Sequence, residues 1–204
     1  STAPLTVATM AGIGTLADDT ERTGNYISVD GLFGSVVPAT TEGIEQGAIA
    51  IGAGANAYGS SVAIGTGAAS TGRTYSRTGV AIGASAASNQ DGTAVGSNAK
   101  ARGIQSTVVG FNATANGNYA VALGDRTTAN FYGAVAIGSS ADAGAYATSM
   151  GISSNAGAIY ALALGYDAEA AAGAENAVAL GARSIADVPN TVSVGSSSMK
   201  RQIM

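Results

Sequence analysis

The sequence predicts an all-β chain wound as a parallel solenoid, and three observations predict it. A four-residue phrase ending in glycine occurs eleven times between residues 49 and 195, at spacings of 13, 18, 13, 14, 14, 14, 13, 14, 16 and 14 residues. Residues alternate with period two both within each phrase and in the segment after its glycine, the mark of strands rather than helices. Thirty glycines stand against three prolines, three phenylalanines and no tryptophan, a poor composition for helices or for a core of large side chains.

The phrases are IAIG (49–52), VAIG (62–65), VAIG (80–83), TAVG (93–96), TVVG (107–110), VALG (121–124), VAIG (135–138), TSMG (148–151), LALG (162–165), VALG (178–181) and VSVG (192–195). The third position is always Ile, Val, Leu or Met, and the second is small, usually Ala, with Val108 the largest. Three residues past each glycine comes a small residue, as at Ala99, Ala113, Thr127 and Ala141; another follows two further on, as at Ala101, Ala115, Ala129 and Ala143. Between them the sequence varies freely: Asn56, Lys100, Thr114, Asp142, Asn155, Glu169. About 14 residues therefore hold two strands of about five residues each and two tight turns, one coil of a rod. Successive coils at about 4.8 Å give eleven coils a length of about 50 Å. The bulky Val, Ile and Leu positions are expected to form the core, glycine the bends, and the ladder of Ala and Val a seam where another copy approaches.

Composition narrows the function. The net charge is −4, and the nine Lys and Arg residues form no stripe, so a nucleic-acid partner is not expected. The chain has no Cys and no His, which removes disulfides, thiolate nucleophiles and the commonest general base. Its carboxylates do not recur at one register in neighbouring coils, so no enzyme is expected. No cofactor or metal site is expected either: Asp167, Glu169 and Glu175 crowd one coil but lack the nonapeptide spacing of calcium-binding β-rolls. No transmembrane run or signal peptide is visible.

The run of phrases such as VAIGTGAASTG (62–72) and VVGFNATANG (108–117) closely resembles the YadA-like heads of trimeric autotransporter adhesins, over residues 47–195. The tail VPNTVSVGSSSMKRQI (188–203) resembles the neck joining such heads to a stalk, with Asn190, Val192, Val194, Gly195, Arg201 and Ile203 in place. The resemblance implies a left-handed parallel β-roll from each chain of a homotrimer. It also implies a place on the outer membrane surface of a Gram-negative bacterium, with attachment to host extracellular matrix, cells or surfaces. Membrane contact would come only through a C-terminal anchor absent from this sequence, making the chain an excised head. On this reading residues 1–46 are a non-repeat N-terminal cap with a possible hairpin at Asp30-Gly31, 47–187 the head repeats, and 188–204 the last coil and start of the neck. A purely structural spacer and an ice-binding solenoid are the alternatives; the mixed outward residues argue against the latter.

Two groups are candidate ligand contacts. The 18-residue coil between Gly65 and Gly83 carries STGRTYSRTG (70–79), whose extra length brings Arg73, Tyr75 and Arg77 onto one excursion, and Tyr and Arg are favoured at binding hot spots. Tyr119, Tyr146 and Tyr160 each stand two residues before a first strand and Tyr132 three before, so the four are expected to form a ladder on one edge, with Phe131 beside it.

Overall fold

A computed structural model describes residues 27–29, 40–42, 48–71, 78–196 and 198–200. The chain winds so that each coil gives one strand to each of two sheets. Among the described residues the first sheet has twelve strands and the second eleven; every pairing within them is parallel, and the order across each sheet is the order along the chain. A representative coil has its first strand at Val121–Leu123 and its second at Thr128–Ala129. The next coil repeats this at Val135–Ile137 and Asp142–Ala143, with Val121 opposite Val135, Ala122 opposite Ala136 and Leu123 opposite Ile137. Most strands are two or three residues long, shorter than the sequence spacing suggests, because the turns take more of each coil.

The turns stack as regularly as the strands. Gly124 N–H donates to the Val109 carbonyl at 2.8 Å, Arg126 N–H to Phe111 at 2.8 Å, Gly133 N–H to Asn118 at 2.9 Å and Tyr146 N–H to Tyr132 at 2.9 Å. Strand amides donate the other way, Val121 N–H to the Ala134 carbonyl and Thr128 N–H to Ala141 of the following coil, both at 2.8 Å, so backbone donors are met by the adjoining coils nearly all the way round, as buried amides require. The repeating glycines sit directly above one another. At Gly110, φ is +148°, and a Cβ there would lie 2.0 Å from the carbonyl oxygen of Gly124. The phrase ends in glycine because both the dihedral and the approach of the next coil exclude a side chain.

The interior corrects one expectation: it is built from the small residues, not from Val, Ile and Leu. A strand of three residues points only its middle residue inward. The residue before the strand also points in, as do the two small residues of the second segment. In one coil these four are Ala134, Ala136, Ala141 and Ala143, all at most 1% exposed. The gap between the two backbones admits a methyl or a hydroxyl and little more; Val108 is the largest fully buried side chain among the described residues. Buried hydroxyls are satisfied locally. Thr127 donates to the Gly138 carbonyl at 2.6 Å, Ser106 to Gly103 at 2.8 Å, and Ser149 and Ser154 share a bond of 2.6 Å. The large residues of the first strand point outward instead.

Both sheets reach upstream of the repeat recognised in the sequence. Ile27–Val29 pairs in parallel with Ile49–Ile51, and Thr40–Glu42 with Asn56–Tyr58. Ile-Ser-Val-Asp at 27–30 matches the repeating phrase except for Asp30 in the glycine position, which hid it. The second arm of the hairpin expected at Asp30-Gly31 lies outside the described residues. Downstream, the parallel ladder ends at Val192–Ser193. Gly195–Ser196 then pairs antiparallel with Met199–Lys200, and Gly195 N–H donates to Ser184 Oγ at 2.9 Å.

Candidate functional site

Two surfaces of the rod stand out, one on a sheet face and one on a turn edge. The face is the outer side of the first sheet. The strand-opening residues, among them Val62, Val80, Val121, Val135, Leu162 and Val178, are half-buried. Several strand-closing residues are more open, Val109 at 43%, Met150 at 40% and Leu180 at 40%. Parallel register places each above its counterpart, so the face is a continuous apolar strip far longer than the scattered exposed apolar residues of an ordinary surface.

The edge is the second turn of each coil. Here the four tyrosines form the ladder expected from their spacing. Ring centroids lie 5.3 Å apart for Tyr119 and Tyr132, 5.2 Å for Tyr132 and Tyr146, and 5.3 Å for Tyr146 and Tyr160. The interplanar angle falls from 64° through 48° to 24° along the series, from edge-on toward stacked. Each ring is about half exposed, and Phe131 is 55% exposed on the turn that carries Tyr132. Tyr119, Tyr146 and Tyr160 themselves take the left-handed backbone conformation, at φ of +59°, +55° and +60°. In the intervening coil Gly133 takes it, at +63°, and the tyrosine moves back one position.

A polar column runs beside the ladder on the same turns, and the sequence reading missed it. The Asn89 amide donates to the Arg102 carbonyl at 3.2 Å, the Arg102 guanidinium to Asn116 Oδ1 at 3.3 Å, and the Asn116 amide to Asn130 Oδ1 at 2.6 Å. Its signal was present: these residues all stand six past the coil glycine. Tyr166 was also passed over. It is half exposed, and the Arg183 guanidinium lies over its ring at 5.7 Å from the centroid.

The excursion carrying Arg73, Tyr75 and Arg77 lies outside the described residues. Asp167, Glu169 and Glu175 come from one coil, and among the described residues no group of three His, Cys, Asp or Glu is placed to hold a metal ion. Asp142 projects from the second sheet between Thr128 and Asn155 of the adjoining coils. Though exposed, it is partly desolvated by those coils, which raises its carboxyl above the ordinary carboxylate range; a backbone hydrogen bond from Ala143 opposes the shift.

A scaffold with a constant interior, constant bends and outward columns that vary from coil to coil is a display solenoid, a class that works through its surface. The YadA head domain repeat matches residues 87–113, 101–127, 115–141, 143–168 and 172–198, more than half of the sequence, and the chain belongs to that family. It is an adhesin-type head and not an enzyme. Among solved structures, the collagen-binding domain of the Yersinia adhesin YadA aligns at 29% identity, over 82% of this chain and 75% of its own, with a TM-score of 0.41. No curated protein matches the chain.

Proposed function

We propose that three copies of this chain assemble into a rod, displayed on the outer membrane surface of a Gram-negative bacterium, that attaches the cell to host extracellular matrix, cells or surfaces. The observation that carries this reading is the apolar face of the first sheet. Among the described residues nothing covers it, and its register would let two further copies lie along it for the length of the rod. Burial of such a strip contributes at about 25 cal/mol per Å² of apolar surface, and a rod whose interior is mostly alanine gains little from inside. Residues 1–46 would close the upstream end, where open strand edges invite further pairing. Residues 188–204, as last coil and start of the neck, would hand the chain on to a stalk.

Attachment is assigned to the second-turn edge, where Tyr119, Phe131, Tyr132, Tyr146 and Tyr160 stand beside the Asn and Arg column, together with Arg73, Tyr75 and Arg77 on the long coil. A threefold rod repeats each edge three times, so weak contacts add through multivalency. Light scattering of the head is expected to give the mass of three chains. A binding screen against matrix proteins and cultured cells is expected to give attachment that falls when the four ladder tyrosines become Ser. A stable single chain in solution overturns the assembly. Trimers that bind nothing, or whose binding survives the four substitutions, turn the rod into a spacer or move the contact elsewhere.

A further inference from the structure

We infer that the tyrosine ladder is a site of covalent modification: one-electron oxidation by a haem peroxidase and hydrogen peroxide joins neighbouring coils through dityrosine bonds within one chain. Three observations on the ladder carry this. The rings of Tyr119, Tyr132, Tyr146 and Tyr160 follow one another at 5.2–5.3 Å. Each is 47–59% exposed, open to an oxidant in solution. The backbone beneath them is locked coil to coil, Tyr146 N–H donating to the Tyr132 carbonyl at 2.9 Å and Tyr160 N–H to Ala145 at 3.1 Å.

Two neighbouring phenols each give one electron and the hydroxyl proton to the oxidant, leaving two phenoxyl radicals. Their unpaired density extends to the ring carbons ortho to oxygen. An ortho carbon of one ring bonds to an ortho carbon of the next, and each ring returns its displaced ortho hydrogen, as a proton, to its own oxygen. The pair has lost two hydrogen atoms in all, and one hydrogen peroxide has become two waters. Stacked rings must tilt for these carbons to meet, and exposed side chains do so on the ps–ns timescale. Holding the partners one coil apart gives the intramolecular reaction a high effective concentration, so coupling along the ladder outruns coupling between molecules.

Tyr166 serves as an internal comparison. It is 51% exposed, equally open to oxidant, but its ring faces Arg183 and, among the described residues, meets no second aromatic ring. It is expected to stay uncoupled within the chain.

The test treats the intact chain with horseradish peroxidase and hydrogen peroxide, then reads dityrosine fluorescence and maps tryptic peptides by mass spectrometry. Cleavage after Arg126 separates Tyr119 from Tyr132, so a bond between them appears as the joined peptides 103–126 and 127–183, lighter by two hydrogens. Bonds among Tyr132, Tyr146 and Tyr160 appear as the same mass loss inside peptide 127–183 and are placed by fragmentation. The variant Tyr132→Phe with Tyr146→Phe keeps aromatic rings in the stack but removes a phenol from every adjacent pair. It is expected to lose the intrachain signal. Peptides joined only between chains, bonds formed at Tyr166 as readily as in the ladder, or an undiminished intrachain signal in the double variant each overturn the inference, as does wild-type protein that forms no dityrosine. The wild-type peptide map decides the matter on its own if the variant fails to fold.

Discussion

Replacing Gly110 by alanine isolates what holds successive coils at their pitch. The added Cβ meets the Gly124 carbonyl oxygen at 2.0 Å and its carbon at 2.6 Å, both backbone atoms that cannot swing aside. It also occupies φ of +148°, a conformation nearly closed to L side chains, at about 1–3 kcal/mol. Forcing the coils apart adds about 1–3 kcal/mol, the usual cost of overpacking, for a total of about 2–6 kcal/mol. Gly173→Ala is the matched control. Its φ is +87°, but nothing lies within 4 Å of the added carbon, so it carries the dihedral cost alone. At about 2–4 °C per kcal/mol for a chain of this size, Gly110→Ala is expected to melt several degrees below Gly173→Ala. The measurement is thermal unfolding by circular dichroism at fixed protein concentration, since assembly makes melting depend on concentration. Hydrogen exchange should localise the weakened contact to 107–124, because a solenoid coil touches only its neighbours. Equal melting of the two variants refutes the close-approach account and leaves backbone dihedral as the whole reason for glycine.

The other predictions follow from the inverted interior, the outer face and one carboxyl. Ala136→Leu is expected to destabilise by about 1–3 kcal/mol or more through overpacking, and more than Ile137→Ala does at the adjacent outward position; chemical unfolding of both variants compares them. Leu123→Asp with Ile137→Asp is expected to reduce the mass seen by light scattering from three chains to one, while the β signature in circular dichroism persists. Asp142 has a raised pKa in the fold, so the fold binds its proton more tightly than the unfolded chain does. Its contribution to stability therefore falls as pH rises from the ordinary carboxylate range through the raised value. Asp142→Asn is expected to melt above wild type at neutral pH and level with it in acid, as a pH series of melting curves would read.

The repeat, its register and the tyrosine ladder were all legible in the sequence, because a solenoid converts a count along the chain into a column in space. Tyr119, Tyr146 and Tyr160 share an offset from their strands, which predicts one column, and Tyr132, one position off in the coil between Tyr119 and Tyr146, fills its gap. Which face points inward was not legible. Alternation shows that Val121 and Leu123 share one side and Ala122 the other, but not which side is enclosed. Bulk ordinarily marks the core, and here it marks the outside, because two backbones drawn this close leave room only for residues such as Ala122 and Ala136. That Ile27–Val29 is a solenoid strand and not merely a hairpin arm escaped for a different reason. Asp30 replaces the glycine, and 22 residues separate Ile27 from its partner Ile49, so neither phrase nor pitch flagged it. The Asn116–Asn130 column escaped because each member, taken singly, looks like an ordinary turn residue.

The ladder also sets a local preference against a lateral one. In every coil from Thr93 onward the position two before the first strand bends left-handed, and Asp91, Gln105, Asn176 and Asn190 hold it outside the ladder. Asn and Asp tolerate that conformation, whereas a bulky residue there is an outlier costing roughly 1–2 kcal/mol. Tyr119, Tyr146 and Tyr160 all stand in it. An aromatic pair returns about 0.5–1.5 kcal/mol beyond its burial, so a lone tyrosine at this turn would sit at a loss, and a run of them can break even. The 13-residue spacing at Tyr132 points the same way. With Gly133 taking the bend, Tyr132 escapes the backbone cost and still places its ring between Tyr119 and Tyr146, completing two of the three stacks. The edge is therefore stable as a column rather than residue by residue. Its length is set by how many successive coils can supply a ring, which ends where Gln105 and Asn176 take the position on either side.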